Sequence, residues 1–534
     1  MGRRADVAVL TVGAAIITLI LGVALQRNLR GASPSTVRVL TYHNDVARTG
    51  QNLDEKILTL KNVTAASFGK VGYLNTDGLV DAEPLYVSNL AIGGNPHNVV
   101  FVATEHDSVY AFDADTLTQL WNVTVLGANE SPSDDRNCAQ VSPEIGITST
   151  PVISLSGDRG LMYVVAMSKD RSGNYFQRLH ALDITSGAEI SGSPTTIEAS
   201  YPNLQGRTTF DPKQYKERAS LLLAGGIVYT SWASHCDNGD YTGWVIGYDA
   251  ATLKPATVLD LTPNGNDGAI WMSGAGPAAD PDGNIYLLDA NGTFDKSFDS
   301  SGFPIHGDFG NAFLKLSIRD GNLRVADYFN MHNTGNESGH DQDLGSGGAL
   351  VLPDFQDASG KTWQLAVGAG KDRRIYVVNR NDMGKFNPKK DTGIYQEIEH
   401  ALTGPVFSMP AYFNNTVYFG AVNDTLKAFS ITNAKLVPEP TSMSSAHYAY
   451  PGTTPSISAN GYSDAIVWAV ESRGSDAGIL HAYDATNLTK ELYNSGRTRG
   501  RDAFGDNKFI TPMIANGRVF VGTLTGVMVF GLLP

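Results

Sequence analysis

A pattern of alternating hydrophobic residues followed by a polar turn recurs along most of the chain. Alternation of this kind is typical of β-strands, and its return at intervals of about 45–70 residues predicts an architecture built from repeats. The copies are VYAFDADT (109–116), LHALDITS (179–186), VIGYDAAT (245–252), FLKLSIRD (313–320), IYVVNRND (375–382), LKAFSITN (426–433), LHAYDATN (480–487) and a truncated copy, GVMVFGLL (526–533).

Each repeat also contains three other segments around this pattern. A small or Pro-containing segment such as SMPAYF (408–413) comes first, and a β-rich strand such as TVYFGAV (416–422) follows it. After the pattern comes an outer strand such as TQLWNVTV (118–125). Four antiparallel strands per repeat are typical of a propeller blade. Residues 36–534 are therefore predicted to form an all-β, eight-bladed β-propeller of four-stranded antiparallel blades, with seven blades plus an irregular one as the alternative.

The last repeat ends at Pro534 without an outer strand. A strand-like segment, FGKVGYLNTDG at 68–78, lies just ahead of the first repeat. Pairing this segment with the last repeat would remove an open sheet edge and join the two ends of the ring. We therefore predict that an N-terminal strand closes the propeller.

The N-terminus differs from the rest of the chain. Gly2-Arg3-Arg4 precedes an uncharged apolar run from Val7 to Leu25. That length is close to the roughly 20 residues of a spanning helix, and Gly22-Val23-Ala24 offers a small-residue cleavage site. Residues 1–35 are therefore predicted to be a signal peptide or a signal-anchor helix with a linker. The body is expected to be exported, extracellular or periplasmic, and held at the membrane by residues 7–25 if they are not cleaved.

Composition and cysteine content narrow the function classes. The formal net charge of −14 disfavours nucleic acid as a partner. Cys138 and Cys236 are the two cysteines, and they suit an exported protein with one disulfide, with two buried free thiols as the alternative. No C-x-x-C-H motif is present for covalent attachment of a c-type haem.

Candidate chemistry is concentrated in the long loops. In an antiparallel four-stranded blade, the loop between the second and third strands and the loop to the next blade lie on one face, so both reach the same mouth of the axial channel. Carboxylate and amide oxygens there suit Ca²⁺, and a tryptophan suits the face of a planar ring. The candidates are Asp237 and Asp240 in SHCDNGDYTGW, Trp271, Asn291, Asp341, Asp343 and Lys371.

The repeats and these loops resemble the PQQ-like propellers, the quinoprotein alcohol dehydrogenases, which hold pyrroloquinoline quinone (PQQ) and Ca²⁺ on the axis of eight blades. The family's Gly-aromatic-Val-x-Ala-Tyr-Asp-Ala strand is matched by Gly243–Ala250. The resemblance implies that Trp271 stacks on the quinone and that Asn291 is a calcium ligand. It also implies that Asp343 is the catalytic base beside the metal and that Lys371 lies over the quinone.

The departures of this chain from the family pattern include its calcium ligand and its disulfide. The calcium-binding glutamate of the family falls near Asn238, which leaves Asp237 or Asp240 as the available carboxylate. The family's disulfide between adjacent cysteines is absent, and the region of Cys138 and Cys236 is expected to wall the quinone instead.

Two functions follow from this comparison. The first is a PQQ- and Ca²⁺-dependent dehydrogenase that oxidises an alcohol or sugar hydroxyl and passes electrons to a separate acceptor. The second is a cofactor-free propeller that binds a protein or a cell-envelope polymer through the same mouth.

Overall fold

The strands of the repeats associate into eight antiparallel sheets around an axis. The computed structural model describes residues 37–156, 159–473 and 477–534. Four strands of every blade run outward from the axis in chain order, except in the last blade. The predicted all-β, eight-bladed propeller of four-stranded blades is confirmed, and the alternative of seven blades plus an irregular one is wrong.

The strands of the first four blades have the following bounds. Three strands come first along the chain: β1 (Arg38–Val39), β2 (Gln51–Asn52) and β3 (Phe68–Asn75). Blade 1 contains β4 (Leu85–Ile92), β5 (Asn95–Ala103), β6 (Ser108–Asp113) and β7 (Gln119–Thr124). Blade 2 contains β8 (Glu130–Asp134), β9 (Glu144–Ile145), β10 (Val152–Ser156), β11 (Arg159–Asp170), β12 (Tyr175–Asp183) and β13 (Thr195–Thr196). After a hairpin of β14 (Ser200–Asn203) and β15 (Gly206–Thr209), blade 3 contains β16 (Lys216–Glu217), β17 (Leu222–Ala224), β18 (Ile227–Ala233), β19 (Trp244–Asp249) and β20 (Pro255–Asp260). Blade 4 contains β21 (Ala278–Ala279), β22 (Ile285–Leu288), β23 (Phe313–Arg319) and β24 (Asn322–Asn330).

The remaining elements complete the ring. Blade 5 contains β25 (Leu350–Val351), β28 (Leu365–Ala369), β29 (Ile375–Asn379) and β31 (Gln396–Ile398). A separate hairpin of β26 (Phe355–Gln356) and β27 (Thr362–Trp363) lies between its first two strands in the sequence, and β30 (Lys385–Phe386) pairs with the edge of blade 4. Blade 6 contains β32 (Ala411–Phe413), β33 (Thr416–Gly420), β34 (Asp424–Thr432), β35 (Lys435–Leu436) and β36 (Ser442–Tyr448). Blade 7 contains β37 (Ser456–Asn460), β38 (Ser463–Glu471), β39 (Ile479–Asp484) and β40 (Glu491–Asn494), and blade 8 contains β41 (Met513–Ala515), β42 (Arg518–Thr523) and β43 (Gly526–Leu532). The helices are α1 (Thr334–Gly339), α2 (Arg499–Asp502) and 3-10 turns at Met272–Gly274, Leu344–Ser346 and Ser495–Arg497.

The recurring sequence pattern forms the third strand of each blade and the turn after it. In blade 1, all six residues of β6 are buried because neighbouring blades cover both faces of the sheet. The turn depends on the Asp that ends the strand. Asp113 Oδ1 accepts hydrogen bonds from the backbone N–H and the Oγ1 of Thr116. Asp183, Asp249 and Asp484 bind Thr185, Thr252 and Thr486 in the same way, so these four copies form the same hydrogen-bonded turn.

An N-terminal strand closes the ring, as the sequence predicts. Strand β3 pairs antiparallel with β43, from Phe68 opposite Leu532 to Asn75 opposite Gly526. The order of blade 8 is β3-β43-β42-β41, so its outer strand comes from the opposite end of the propeller sequence. The last blade therefore has four strands, like the others, and its outer edge is covered.

An axial segment, residues 37–52, makes hydrogen bonds to all eight blades. Its carbonyl oxygens accept from the N–H groups of first strands: Val37 from Ser88, Leu40 from Ile153, Val46 from Ala279, Ala47 from Val351, Thr49 from Tyr412 and Gly50 from Ile457. In the two other blades, the Arg48 side chain donates to Leu221 O and Asn52 Nδ2 donates to Ile514 O. The sequence pattern predicts no role for this segment, which ties the innermost strands together on the axis.

The interior of blade 7 holds a charged network around His481. Its Nδ1 lies 2.8 Å from Glu491 Oε1 and its Nε2 lies 3.1 Å from Glu471 Oε2. Arg473 and Arg497 pair with the same two glutamates. Burial opposes the charged imidazole, but the two glutamates outweigh burial and raise the pKa of His481 above its ordinary value.

The free energy of unfolding is expected to decrease as pH rises from about 6.5 through the raised pKa of His481. The folded protein holds this proton more tightly than the unfolded chain, so the stabilisation is complete below the unfolded-state pKa and is lost above the folded-state pKa. Tyr448, Tyr483 and Asn494 also face the ring. Urea unfolding at about pH 6 and pH 9 measures the effect, and His481→Gln should remove it. An equal pH dependence in wild type and variant would contradict this origin.

The signal peptide or signal-anchor helix predicted within residues 1–35 falls outside the described residues. Within the part of the chain that the structure describes, no helix combines the length and apolar character that crossing a bilayer requires.

Candidate functional site

A cavity of about 410 Å³ lies where the long loops meet on the axis. We call it the axial cavity. Its walls come from the loops between second and third strands and from the loops between blades, as the antiparallel blade predicts. Most of the candidate residues line it: Cys138, Cys236, Asp237, Trp271, Asn291, Asp341, Asp343 and Lys371.

Asp343 lies at the centre of one side of this cavity. Its side chain is buried, its Oδ2 accepts a hydrogen bond of 2.9 Å from Trp271 Nε1, and its Oδ1 lies 2.6 Å from Lys371 Nζ. Burial raises the pKa of Asp343, and Lys371 partly offsets this effect. Burial also opposes the charge of Lys371, but Asp343 and Asp341 outweigh it and raise the pKa of Lys371. The arrangement is a carboxylate between an ammonium and an indole N–H.

Close backbone approaches bring these side chains together. A Cβ on Gly370 would lie 2.6 Å from Asp343 O, so only glycine lets the loop before Lys371 pack against Asp343. The Lys371 N–H then donates to Asp343 O over 3.0 Å. Gly345 approaches the backbone of Ala290 in the same way, at 2.4 Å from a Cβ to the Ala290 nitrogen. These contacts join the loops of blades 4 and 5 at one point of the cavity.

Asn291 and Asp341 complete this side of the cavity. The Asn291 amide donates 3.0 Å to Asp341 Oδ1, and Lys371 Nζ lies 2.6 Å from the same oxygen. Asn291 Oδ1 is buried and has no hydrogen-bond partner within the described residues. We call Asn291, Asp341, Asp343 and Lys371 the acidic wall.

The four predicted calcium ligands do not gather at one point. Asp237 lines the axial cavity, but its Oδ1 accepts from Ser234 Oγ and from Tyr241 OH. Asp240 lies in a separate polar groove with Gln214 and Thr242. Among the described residues, no three His, Cys, Asp or Glu side chains form a group that could hold a metal. Of the predicted set, only Asn291 and Asp343 belong to the acidic wall.

Cys138 and Cys236 form a disulfide at the rim of the cavity, so the alternative of two free thiols is wrong. Cys138 lies between β8 and β9, and Cys236 lies between β18 and β19. The bond therefore connects the β8–β9 loop of blade 2 with the β18–β19 loop of blade 3. A closed loop of about 100 residues is worth about 4–5 kcal/mol in the chain-entropy model.

Two buried cations line the side of the cavity near the disulfide. Lys216 and Arg218 are 5% and 7% exposed, and none of the ion pairs formed by the described residues includes either one. Burial and the neighbouring Arg218 lower the pKa of Lys216 to about 8. The charge of Glu105 opposes this lowering of the Lys216 pKa, although the two side chains are too far apart to form an ion pair. Burial raises the pKa of Glu105 itself well above its ordinary value. We call Lys216 and Arg218 the cationic wall. Because both side chains are buried and line the cavity, they are positioned to bind an anion.

Aromatic rings cover the rest of the cavity. Trp271, Phe407, Tyr450 and Phe509 form a row with successive centroid distances of 5.9, 5.5 and 5.8 Å. Arg218 lies 5.4 Å from the Phe509 ring, and Lys371 lies 5.6 Å from the Trp271 ring. The row presents flat apolar surface between the two charged walls.

Sequence reasoning missed the cationic wall and three of the four aromatic residues. A positional signal was available, because these residues lie just ahead of the small or Pro-containing segment that opens a blade. Arg218, Phe407 and Phe509 directly precede ASLLLAGG, SMPAYF and ITPMIA, and Tyr450 lies three residues before TTPSIS.

No family model matches the sequence, and no curated protein matches it. Solved structures do match its fold. The quinohemoprotein alcohol dehydrogenase from Comamonas testosteroni has a TM-score of 0.58 at 14% identity, over 93% of this chain and 80% of that chain. The quinohemoprotein alcohol dehydrogenase ADHIIG from Pseudomonas putida HK5 has a TM-score of 0.60 at 14% identity, over 94% of this chain and 83% of that chain. The predicted resemblance to quinoprotein dehydrogenases is therefore confirmed for the fold.

Proposed function

We propose that this chain is an exported oxidoreductase that binds a planar, carboxylate-bearing quinone of the PQQ class in the axial cavity and oxidises an alcohol or sugar hydroxyl. One observation carries the proposal. Two buried cations that form no ion pair with the described residues face the same cavity as a buried carboxylate held by a lysine and a tryptophan. Known quinohemoprotein alcohol dehydrogenases share the fold, which supports the chemistry by analogy alone.

The cavity residues suit such a quinone in size, shape and charge. A volume of about 410 Å³ falls in the range typical of small-molecule sites. Trp271 and Phe407 offer ring faces, while Lys216 and Arg218 offer charge-assisted hydrogen bonds to carboxylates. When bound, the quinone would supply a two-electron acceptor.

The acidic wall would handle the proton of the substrate hydroxyl. Asp343 is positioned as the general base, because a buried carboxylate has a raised pKa and accepts a proton more readily than an exposed one. Trp271 Nε1 fixes Oδ2 of this carboxylate. Lys371 holds Oδ1 and keeps an ammonium beside the reacting oxygen atoms, where it would stabilise negative charge that develops.

Electrons would leave to a separate acceptor, because the sequence contains no C-x-x-C-H motif for covalent haem. The Cys138–Cys236 disulfide supports export to an oxidising compartment.

Titration with PQQ tests the proposal. We expect saturable binding, followed by quenching of tryptophan fluorescence, and a higher melting temperature. Lys216→Met and Arg218→Met should each weaken binding about tenfold or more, since each removes one charge-assisted contact. Lys213→Met is the matched control, because Lys213 is an exposed lysine of the same loop. Dye reduction with alcohols and sugars then measures turnover.

A folded protein that shows no PQQ binding would overturn this function. The cofactor-free alternative, a propeller that binds a protein or a cell-envelope polymer through the same mouth, would then be favoured. Equal losses in Lys213→Met and Lys216→Met would refute the role of the cationic wall.

A further inference from the structure

We propose that the ammonium of Lys371 takes the place of a divalent cation on the acidic wall, so that this cavity works without calcium. The inference departs from what the family resemblance implies. Its metal-binding part rests on the charges and contacts of the wall alone, and only its catalytic part rests on the proposed function.

The ammonium already holds the oxygen atoms that a calcium ion would need. Lys371 Nζ lies 2.6 Å from Asp341 Oδ1 and 2.6 Å from Asp343 Oδ1. Calcium binds carboxylate oxygens at about 2.3–2.6 Å, so an ion between these two carboxylates would occupy the position of the ammonium. A divalent ion beside Lys371 would also experience strong repulsion in a buried site.

The remaining oxygen donors are too few for calcium while Lys371 is in place. Calcium takes about 6–8 oxygen ligands. Two buried oxygens of this wall accept no hydrogen bond from the described residues, Asn291 Oδ1 and Asp343 Oδ1, and the second is in ion-pair contact with Lys371. Asp237 is engaged by Ser234 and Tyr241, and Asp240 lies in another groove. Among the described residues, neither aspartate joins Asp341 and Asp343 in a group that could hold a metal.

Lys371 can also perform the electrostatic task of the ion. An ammonium has three N–H donors, and two of them are directed to Asp341 and Asp343. The third is available to a ligand oxygen, because Lys371 lines the cavity. A hydrogen bond from this N–H would polarise a carbonyl and stabilise the charge that develops on it. Lys371 is thus both the counter-ion of Asp343 and the electrophilic group.

The test is a comparison of ion binding in wild type and in Lys371→Met. We expect wild-type protein to give no saturable Tb³⁺ luminescence sensitised by Trp271 and no change in melting temperature between EGTA and CaCl₂. In Lys371→Met, the two carboxylates and Asn291 lose their cation, so the variant should melt several degrees lower in EGTA and recover with CaCl₂. Lys371→Arg, which keeps the charge, should show no such calcium response.

Stoichiometric Tb³⁺ binding by wild type that Asn291→Ala abolishes would overturn the inference. A folded Lys371→Met protein without any response to calcium or Tb³⁺ would overturn it too. If Lys371→Met does not fold, the wild-type Tb³⁺ titration decides alone. These measurements need no quinone, so they remain readable if PQQ fails to bind. If PQQ does bind, its affinity for wild type should be equal in EGTA and in CaCl₂.

Discussion

Replacement of Asp343 by asparagine is expected to lower quinone-dependent oxidation at least 100-fold and to leave the PQQ affinity within about threefold. A positioned general base contributes about 10²–10⁴ to the rate, and an amide cannot accept the proton. Asparagine retains an acceptor for Trp271 Nε1, so the loop should keep its conformation. Single-turnover reduction of bound quinone by an alcohol or sugar measures the effect directly.

Asp341→Asn is the matched control for this substitution. Asp341 contacts the same ammonium, but its side chain is 73% exposed, whereas Asp343 is buried. The loss of rate in Asp341→Asn should therefore be far smaller. Equal losses in the two variants would show that the charge of the acidic wall matters and that a base at Asp343 does not.

The pH dependence of the rate should follow the same carboxylate. Asp343 must be ionised to accept a proton, so the rate is expected to rise with pH through its raised pKa. Asp343→Asn should lose this limb of the profile. A wild-type rate that is constant across the acidic range would exclude Asp343 as the base.

The propeller was predictable because each blade carries its own local signal. In four of the blades, the Asp at the end of the third strand and the Thr two or three residues later lie close together in the repeated sequence pattern, and they form one hydrogen-bonded turn. The closing strand was also predictable, since a repeat without an outer strand and a spare strand at the other end are both visible in the sequence.

The role of the axial segment was not predictable by the same means. Its contacts reach residues such as Leu221, Pro277 and Ile514, which lie hundreds of positions away, and its own sequence has no periodic pattern. A charged residue such as Arg48 in a polar stretch is ordinarily exposed. Only the closed ring places it at the centre.

The candidate site was predictable in part. The resemblance to quinoprotein dehydrogenases pointed to four residues, and all four line the cavity: Trp271, Asn291, Asp343 and Lys371. It also named Asp240 as a possible ligand. The backbone of Cys236 and Asp237 is left-handed, with φ of 53° and 55°. This local turn decides which carboxylates share the cavity. The residue types in the sequence do not predict such a turn.

Replacement of Arg48 by methionine is expected to cost about 3–5 kcal/mol of folding free energy. Arg48 is fully buried on the axis, and burial lowers its pKa to about 10, so it remains charged at neutral pH. Its guanidinium donates to Pro277 O, Thr41 Oγ1, Tyr42 O and Leu221 O over 2.7–3.0 Å. Methionine fills similar volume but leaves these buried acceptors without donors.

Such a loss is a large fraction of the roughly 5–15 kcal/mol by which folded domains are stable. Arg38→Met is the matched control, because Arg38 lies on the same segment with an exposed side chain, and an exposed substitution should change stability by less than about 0.5 kcal/mol. The urea midpoint and the melting temperature of the two variants measure the difference. The acceptors belong to the axial segment and to blades 3 and 4. The whole propeller of the Arg48 variant should therefore unfold at a lower urea concentration and a lower temperature. Equal midpoints for the two variants would mean that the blades hold the ring together without the axial segment.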